Sequence, residues 1–147
     1  MDASLNYREA AVQGASPVRL VVLLYEQVID DLRRALRAQF AGQIEKRARY
    51  VDHALLVLGH LEATLDARQG GTVAANLKCF YQQVRAGLLT AQMRESAPDF
   101  EAHIAHLMLI RDAWVQVERS TPPTVASGES QDAGTLFEQH SSGEWRA

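Results

Sequence analysis

Apolar positions recur at helical spacing along most of the chain, in four stretches separated by clear breaks. In the first, Val21, Leu24, Tyr25, Val28, Leu32, Ala35 and Leu36 follow an i, i+3, i+4, i+7 pattern, while Arg19, Glu26, Asp30, Arg33 and Arg37 fall mostly on the far side. Ser16 supplies an N-cap hydroxyl and Pro17 suits the first helical position, where its missing N–H costs nothing. The spacing predicts a helix from Pro17 to Phe40 that stops near Gly42. A second stretch, Ile44 to Ala67, carries Ile44, Arg47, Ala48, Val51, Ala54, Leu55, Leu58, Glu62 and Leu65 in phase before Gly70-Gly71 breaks it. The third, Val73 to Glu95, aligns Val73, Leu77, Phe80, Tyr81, Val84, Leu88 and Ala91, with Thr72 as its expected cap. Ser96-Ala97-Pro98-Asp99 reads as a capping box for the fourth. Phe100, His103, Ile104, Leu107, Arg111, Trp114 and Val115 continue that helix to Arg119. No stretch of period two is bounded by turns, and the connections are short. The pattern therefore predicts an all-α, antiparallel four-helix bundle over residues 17–119.

The helices carry more apolar side chains than one buried stripe each requires. Leu20 to Tyr25 is an unbroken apolar run, so it wraps the whole circumference; Leu23 projects into the polar side and Leu20 sits on its margin. On the second helix Leu56 points away from the stripe, flanked by Val57 and Leu61. Ala86, Leu89 and Met93 on the third and Met108 and Leu109 on the fourth are also out of phase. Such residues form a second apolar face, with grooves between neighbouring helices, that something should cover. The candidates are a partner, a second copy of the chain in a homodimer, or the N-terminal segment 1–16, which contains Leu5, Tyr7 and Val12.

The balance of charges narrows the options. The formal net charge is −3 and no basic block stands out, which argues against a nucleic-acid partner. Arg33, Arg34 and Arg37 sit beside Asp30 and Asp31 and read as a solvated helix face. Cys79 is the only cysteine, so no internal disulfide framework exists. The N-terminus lacks a basic then apolar signal pattern, and no apolar run is long enough to span a bilayer. These features place the chain in the cytoplasm with no direct membrane insertion. Residues 120–147 change character after Pro122-Pro123. Ser, Gly, Gln and Glu dominate there, and Leu136, Phe137 and Trp145 are the apolar exceptions, so a disordered tail is expected.

Tests for bond-making chemistry are negative. A di-metal bundle needs Glu-x-x-His motifs, but Tyr50, Val57, Phe100 and His103 stand three residues before His53, His60, His103 and His106. A histidine phosphotransfer bundle is the alternative functional class, with His53 or His60 as acceptor. No lysine follows His53 closely to hold a phosphoryl group. Gly70-Gly71 follows a helix and lacks the strand context of a nucleotide loop. No catalytic residue, metal site or cofactor is expected.

An ordered set of motifs remains. Tyr7 precedes Ala15-Ser16-Pro17; then come Leu20, Leu23-Leu24-Tyr25-Glu26-Gln27, Gly70-Gly71, Ala74, Asn76-Leu77, Tyr81, Arg85, Leu88, Ala91, and Arg111 with Trp114. This set, running from Tyr7 to Gln116, resembles the flagellar export chaperones of the FliS type. Gly14, Gln27 and Gln92 depart from the family's usual threonine, glycine and asparagine, and His103 and His106 replace acidic residues. The resemblance implies a bundle whose N-terminal segment covers part of a binding surface, and a disordered C-terminal region of flagellin that wraps the bundle as short helices. It further implies links to the membrane export gate and to a flagellar regulatory protein. On this reading Leu20, Leu23, Leu56, Leu89 and Met93 are partner anchors, Tyr7 belongs to the displaceable cover, and Asn76 and Arg85 make polar contacts.

Overall fold

The computed structural model describes residues 16–67 and 71–120. Four helices follow one another: α1 (Pro17–Phe40), α2 (Ile44–Ala67), α3 (Thr72–Arg94) and α4 (Ala97–Ser120). They form a ring in which α1 packs on α2 and α4, and α3 closes it by packing on the same two helices. The N-terminal segment through residue 15 and the residues from 121 onward, including Tyr7 and the expected tail, lie outside the described residues.

Local chemistry sets each boundary. Ser16 accepts a hydrogen bond from the Arg19 N–H at 3.1 Å, and Pro17 opens α1 as its sequence position requires. At the other end, the Gln43 N–H donates to the Ala38 carbonyl and the Gly42 N–H to that of Gln39. This paired closure turns the chain through Gly42 at φ 73°, which glycine adopts without a Cβ penalty. Thr72 is not the cap of α3: Gly71 occupies that position with no side-chain bond, and Thr72 is already helical. The capping box before α4 is half formed. Ser96 Oγ accepts from the Asp99 N–H at 3.2 Å, but the Ser96 N–H is already donated to the Ala91 carbonyl in the closure of α3. That closure places Glu95 at φ 52°, a left-handed position held by a non-glycine residue.

The expected stripes meet in one core, and Tyr25, Val28, Leu32, Val51, Ala54, Leu58, Leu88, Phe100 and Leu107 are each buried. Several positions differ from the pattern reading. Val57 and Leu61, expected on the second face, are core residues, 4% and 1% exposed. Ile44, expected in the stripe, is 58% exposed because α2 begins there, beyond the reach of the neighbouring helices. Val22 and Ile29 also enter the core, since α1 packs on two helices and buries a wider arc than one stripe. Asp31 is buried rather than part of a solvated face.

Candidate functional site

The motif residues divide into those that build the bundle and those left on its outside. Tyr25 and Tyr81 are buried on opposite helices of the ring, with their hydroxyls hydrogen-bonded at 2.9 Å and ring centroids 6.0 Å apart. Trp114 hydrogen-bonds Tyr25 as well, so α1, α3 and α4 share one buried polar node. Burial pushes the Tyr25 hydroxyl up to about 12 and that of Tyr81 upward as well, because a phenolate has little solvation there. Glu26 pairs with Arg111 at 3.1 Å across the α1–α4 seam, and Glu62 pairs with Arg85 at 2.7 Å across the α2–α3 seam. These contacts tie the helices of the ring to one another.

Of the expected anchors, Leu56, Leu89 and Met93 are exposed and Leu20 and Leu23 are half-buried. Gln82 and Arg85 both reach Glu62, so their row on α3 follows the seam with α2. Leu89 and Met93 continue that row by helical spacing, 46% and 84% exposed. On α2, Leu56 is 57% exposed, and Gly59 one turn on has open space where a Cβ would stand. Leu56 therefore stands on an open outer surface, with exposed Asp52 and His60 one turn to either side. Leu20 and Leu23 sit in the row of Gln27, next to the α1–α2 seam, and are half-buried. Asn76 is exposed, and Arg85 is half-buried in its ion pair with Glu62. The eight sequence-derived positions thus do not form one pocket. Leu20 and Leu23 lie beside the α1–α2 seam, Leu89 and Met93 along the α2–α3 seam, and Leu56 on the outer face of α2 between them; Asn76 stands apart near the start of α3, and Tyr7 is outside the described residues.

Other exposed apolar groups widen the picture. Leu109 is 69% exposed on α4, as its phase predicts, whereas Met108 is half-buried and accepts a contact from the Arg33 guanidinium at 3.2 Å. Phe40, 72% exposed at the end of α1, is missed by the stripe analysis. Its signal is positional: it is the last residue of a helix whose stripe has already turned inward.

Three of the histidines, His53, His103 and His106, meet side chains or backbone of a neighbouring helix, whereas His60 is exposed on α2. His53 Nδ1 lies 2.6 Å from Asp31 Oδ2 across the α1–α2 seam, and Gln27 Nε2 donates to the other Asp31 oxygen at 2.8 Å. Burial raises the Asp31 carboxyl above the ordinary range, and the bond and charge of His53 offset part of that rise. His53 therefore leans toward α1 instead of standing clear of the bundle. His103 lies against Gly87, where an added Cβ would come within 2.5 Å of the ring, and His106 meets Phe80 edge-on. Among the described residues, no group of three or more His, Cys, Asp or Glu side chains is arranged to hold a metal ion.

Comparison with known proteins agrees with this architecture. The family described as Flagellar protein FliS matches residues 1–121. The flagellar secretion chaperone FliSB of Pseudomonas aeruginosa is 29% identical over 106 residues, covering 72% of this chain and 84% of that protein. The flagellar secretion chaperone FliS of Salmonella typhimurium is 31% identical over 110 residues, covering 74% and 82%. A bundle locked by Tyr25, Tyr81 and Trp114, with apolar side chains left exposed on α2 and α3 and a family match from its first residue through α4, belongs to the Flagellar protein FliS family.

Proposed function

We infer that this chain is a flagellar secretion chaperone whose client is the C-terminal region of flagellin, bound as short amphipathic helices over the outer face of α2 and its two seams. Family membership supports the chaperone role. The observation that carries the client reading is the exposure of Leu56 on α2 and of Leu89 and Met93 on α3, apolar side chains that the protomer's own core does not use. An amphipathic helix laid into such a surface is held by apolar anchors at i, i+3, i+4 and i+7 spacing. Leu20 and Leu23 extend the surface beyond α2, so a client that wraps the bundle engages both sides. Arg85 and Asn76 supply polar contacts at its edge, and the segment containing Tyr7 covers part of it until the client arrives.

The mechanism is masking by equilibrium binding. The segments a flagellin subunit needs for polymerisation are held on the chaperone, and no bond is made or broken. Delivery of the bound subunit to the membrane export gate, and an exchange with a flagellar regulatory protein, belong to the same reading, with the chaperone acting in the cytoplasm. Among the described residues no helix is long and apolar enough to cross a membrane, consistent with a carrier that meets the gate from outside the bilayer. The test mixes the full chain with a peptide of the flagellin C-terminus. A one-to-one complex by sedimentation, with helical circular dichroism exceeding the sum of the parts, is expected. Absence of a complex, or binding without gained helix, overturns the reading.

A further inference from the structure

The turn between α1 and α2 carries a feature that client binding beside α2 does not use. Gly42, Gln43, Ile44, Glu45, Lys46 and Arg49 line a shallow hollow of about 380 Å³. Ile44 is 58% exposed in it, and Phe40 stands exposed at the neighbouring end of α1. Neither Lys46 nor Arg49 has an ion-pair partner among the described residues, and Arg37 adds a further exposed cation nearby in sequence. Glu45 is the one acid in the lining. The site thus offers apolar surface beside two free cations, which suits an aromatic side chain next to a carboxylate.

The chain itself holds such a ligand. The family match ends at residue 121, and the sequence beyond it contains Leu136-Phe137-Glu138. Glu129, Asp132, Glu138 and Glu144 stand there against Arg146 alone, so the segment is acidic where the hollow is basic. We propose that Leu136-Phe137-Glu138 docks in the α1–α2 turn hollow of its own chain, with Phe137 over Ile44 and Glu138 paired to Lys46 and Arg49. The reach is sufficient. α4 ends at the opposite end of the bundle, about 36 Å away for a 24-residue helix. The sixteen residues from Thr121 to Leu136 extend to about 55 Å at most. Tethering raises the local concentration of the segment to the order of 1 mM, so even a weak intrinsic affinity fills the hollow for much of the time. Docking places an acidic, aromatic strap over one end of the bundle and removes Phe40 and Ile44 from competition for other apolar partners.

The test uses the full chain with Cys79→Ser and Ser141→Cys, carrying a nitroxide on the new thiol. Paramagnetic broadening is expected to remove the amide signals of residues 42–49 selectively. Phe137→Ser restores those signals, as does the pair Lys46→Glu and Arg49→Glu, while adding Glu138→Lys to the charge-reversed pair brings the broadening back. Uniform broadening, or broadening centred on Leu56 and Leu89, overturns the proposal. So does broadening of an unlabelled-thiol, isotope-labelled chain by a separate nitroxide-bearing chain, because the occupant is then a second copy. These variants leave Leu20, Leu23, Leu56, Leu89 and Met93 untouched, so client binding is read independently of the outcome.

Discussion

Replacing Tyr81 by Phe removes one hydroxyl from the buried node and leaves the Tyr25 hydroxyl with Trp114 as its remaining partner. A buried polar group that loses its partner costs about 1–3 kcal/mol, and the bond to Trp114 keeps this case near the lower end. Tyr25→Phe is worse, because it strips both the Tyr81 hydroxyl and the Trp114 indole of a partner and is expected to cost about 2–4 kcal/mol. The double variant leaves only Trp114 unmet, since the two rings then pack as apolar neighbours at the same 6.0 Å separation. It is therefore expected to be no less stable than Tyr25→Phe alone, giving a coupling of about 1–2 kcal/mol in a double-mutant cycle. Urea unfolding followed by circular dichroism measures all four proteins, with unchanged slopes confirming that only stability has moved. Additivity of the two single losses to within about 0.5 kcal/mol would refute the claim that these hydroxyls form one unit.

Three further outcomes follow from the same geometry. Burial raises the Tyr25 hydroxyl from 10.0 to about 12, so its share of stability is intact below pH 10 and is lost as pH climbs through that interval. Alkaline unfolding is expected to forfeit about 3 kcal/mol from this group, and a Tyr25→Phe protein whose stability falls as steeply over that interval would contradict the assignment. Gly87→Ala gains helix propensity of about 1 kcal/mol but drives a Cβ to 2.5 Å from the His103 ring, so thermal melting should show little gain. Adding His103→Ala removes the clash, and a melting temperature unaffected by Gly87→Ala in that background would sink the steric argument. His53→Ala leaves Asp31 buried with Gln27 alone and is expected to cost about 1–3 kcal/mol at neutral pH. The loss should narrow on acidification as the raised Asp31 carboxyl takes up its proton; a loss independent of pH would mean the pair is not ionic.

Much of the fold was legible because period and punctuation agreed. Ser16-Pro17, the Gly42 turn and Gly70-Gly71 delimit helices whose apolar positions repeat in register, and α1 and α2 begin and end where the pattern places them. What was not legible is how wide an arc each helix buries. A single stripe explains Tyr25, Val28 and Leu32, but α1 touches two neighbours and takes in Val22 and Ile29 as well. Val57 and Leu61 moved from the expected outer face to the core for the same reason, since α2 turns one side to α1 and the other to α3. Asp31 misled because its polarity suggested water, while its partner His53 lies on another helix that no local pattern reveals. Arg85 carried the family resemblance, yet its closest commitment is to Glu62 within the bundle. Leu56, Leu89 and Met93 were found by phase alone, because each lies well away from its own helix's stripe.

The central claim is that those three side chains hold a flagellin helix. From their exposures of 57%, 46% and 84%, covering them stabilises a complex by about 4 kcal/mol together, if full burial of such a side chain is worth about 1.5–3 kcal/mol. That corresponds to about a thousandfold in Kd. The most direct measurement is calorimetric titration of a C-terminal flagellin peptide into the parent chain, into Leu56→Asp with Met93→Asp, and into Ile44→Asp as an exposed control at the bundle's end. The account predicts a loss of at least about a hundredfold for the double variant, with its helical spectrum and urea midpoint unchanged, and parental affinity for the control. A folded double variant that binds the peptide as tightly as the parent contradicts it.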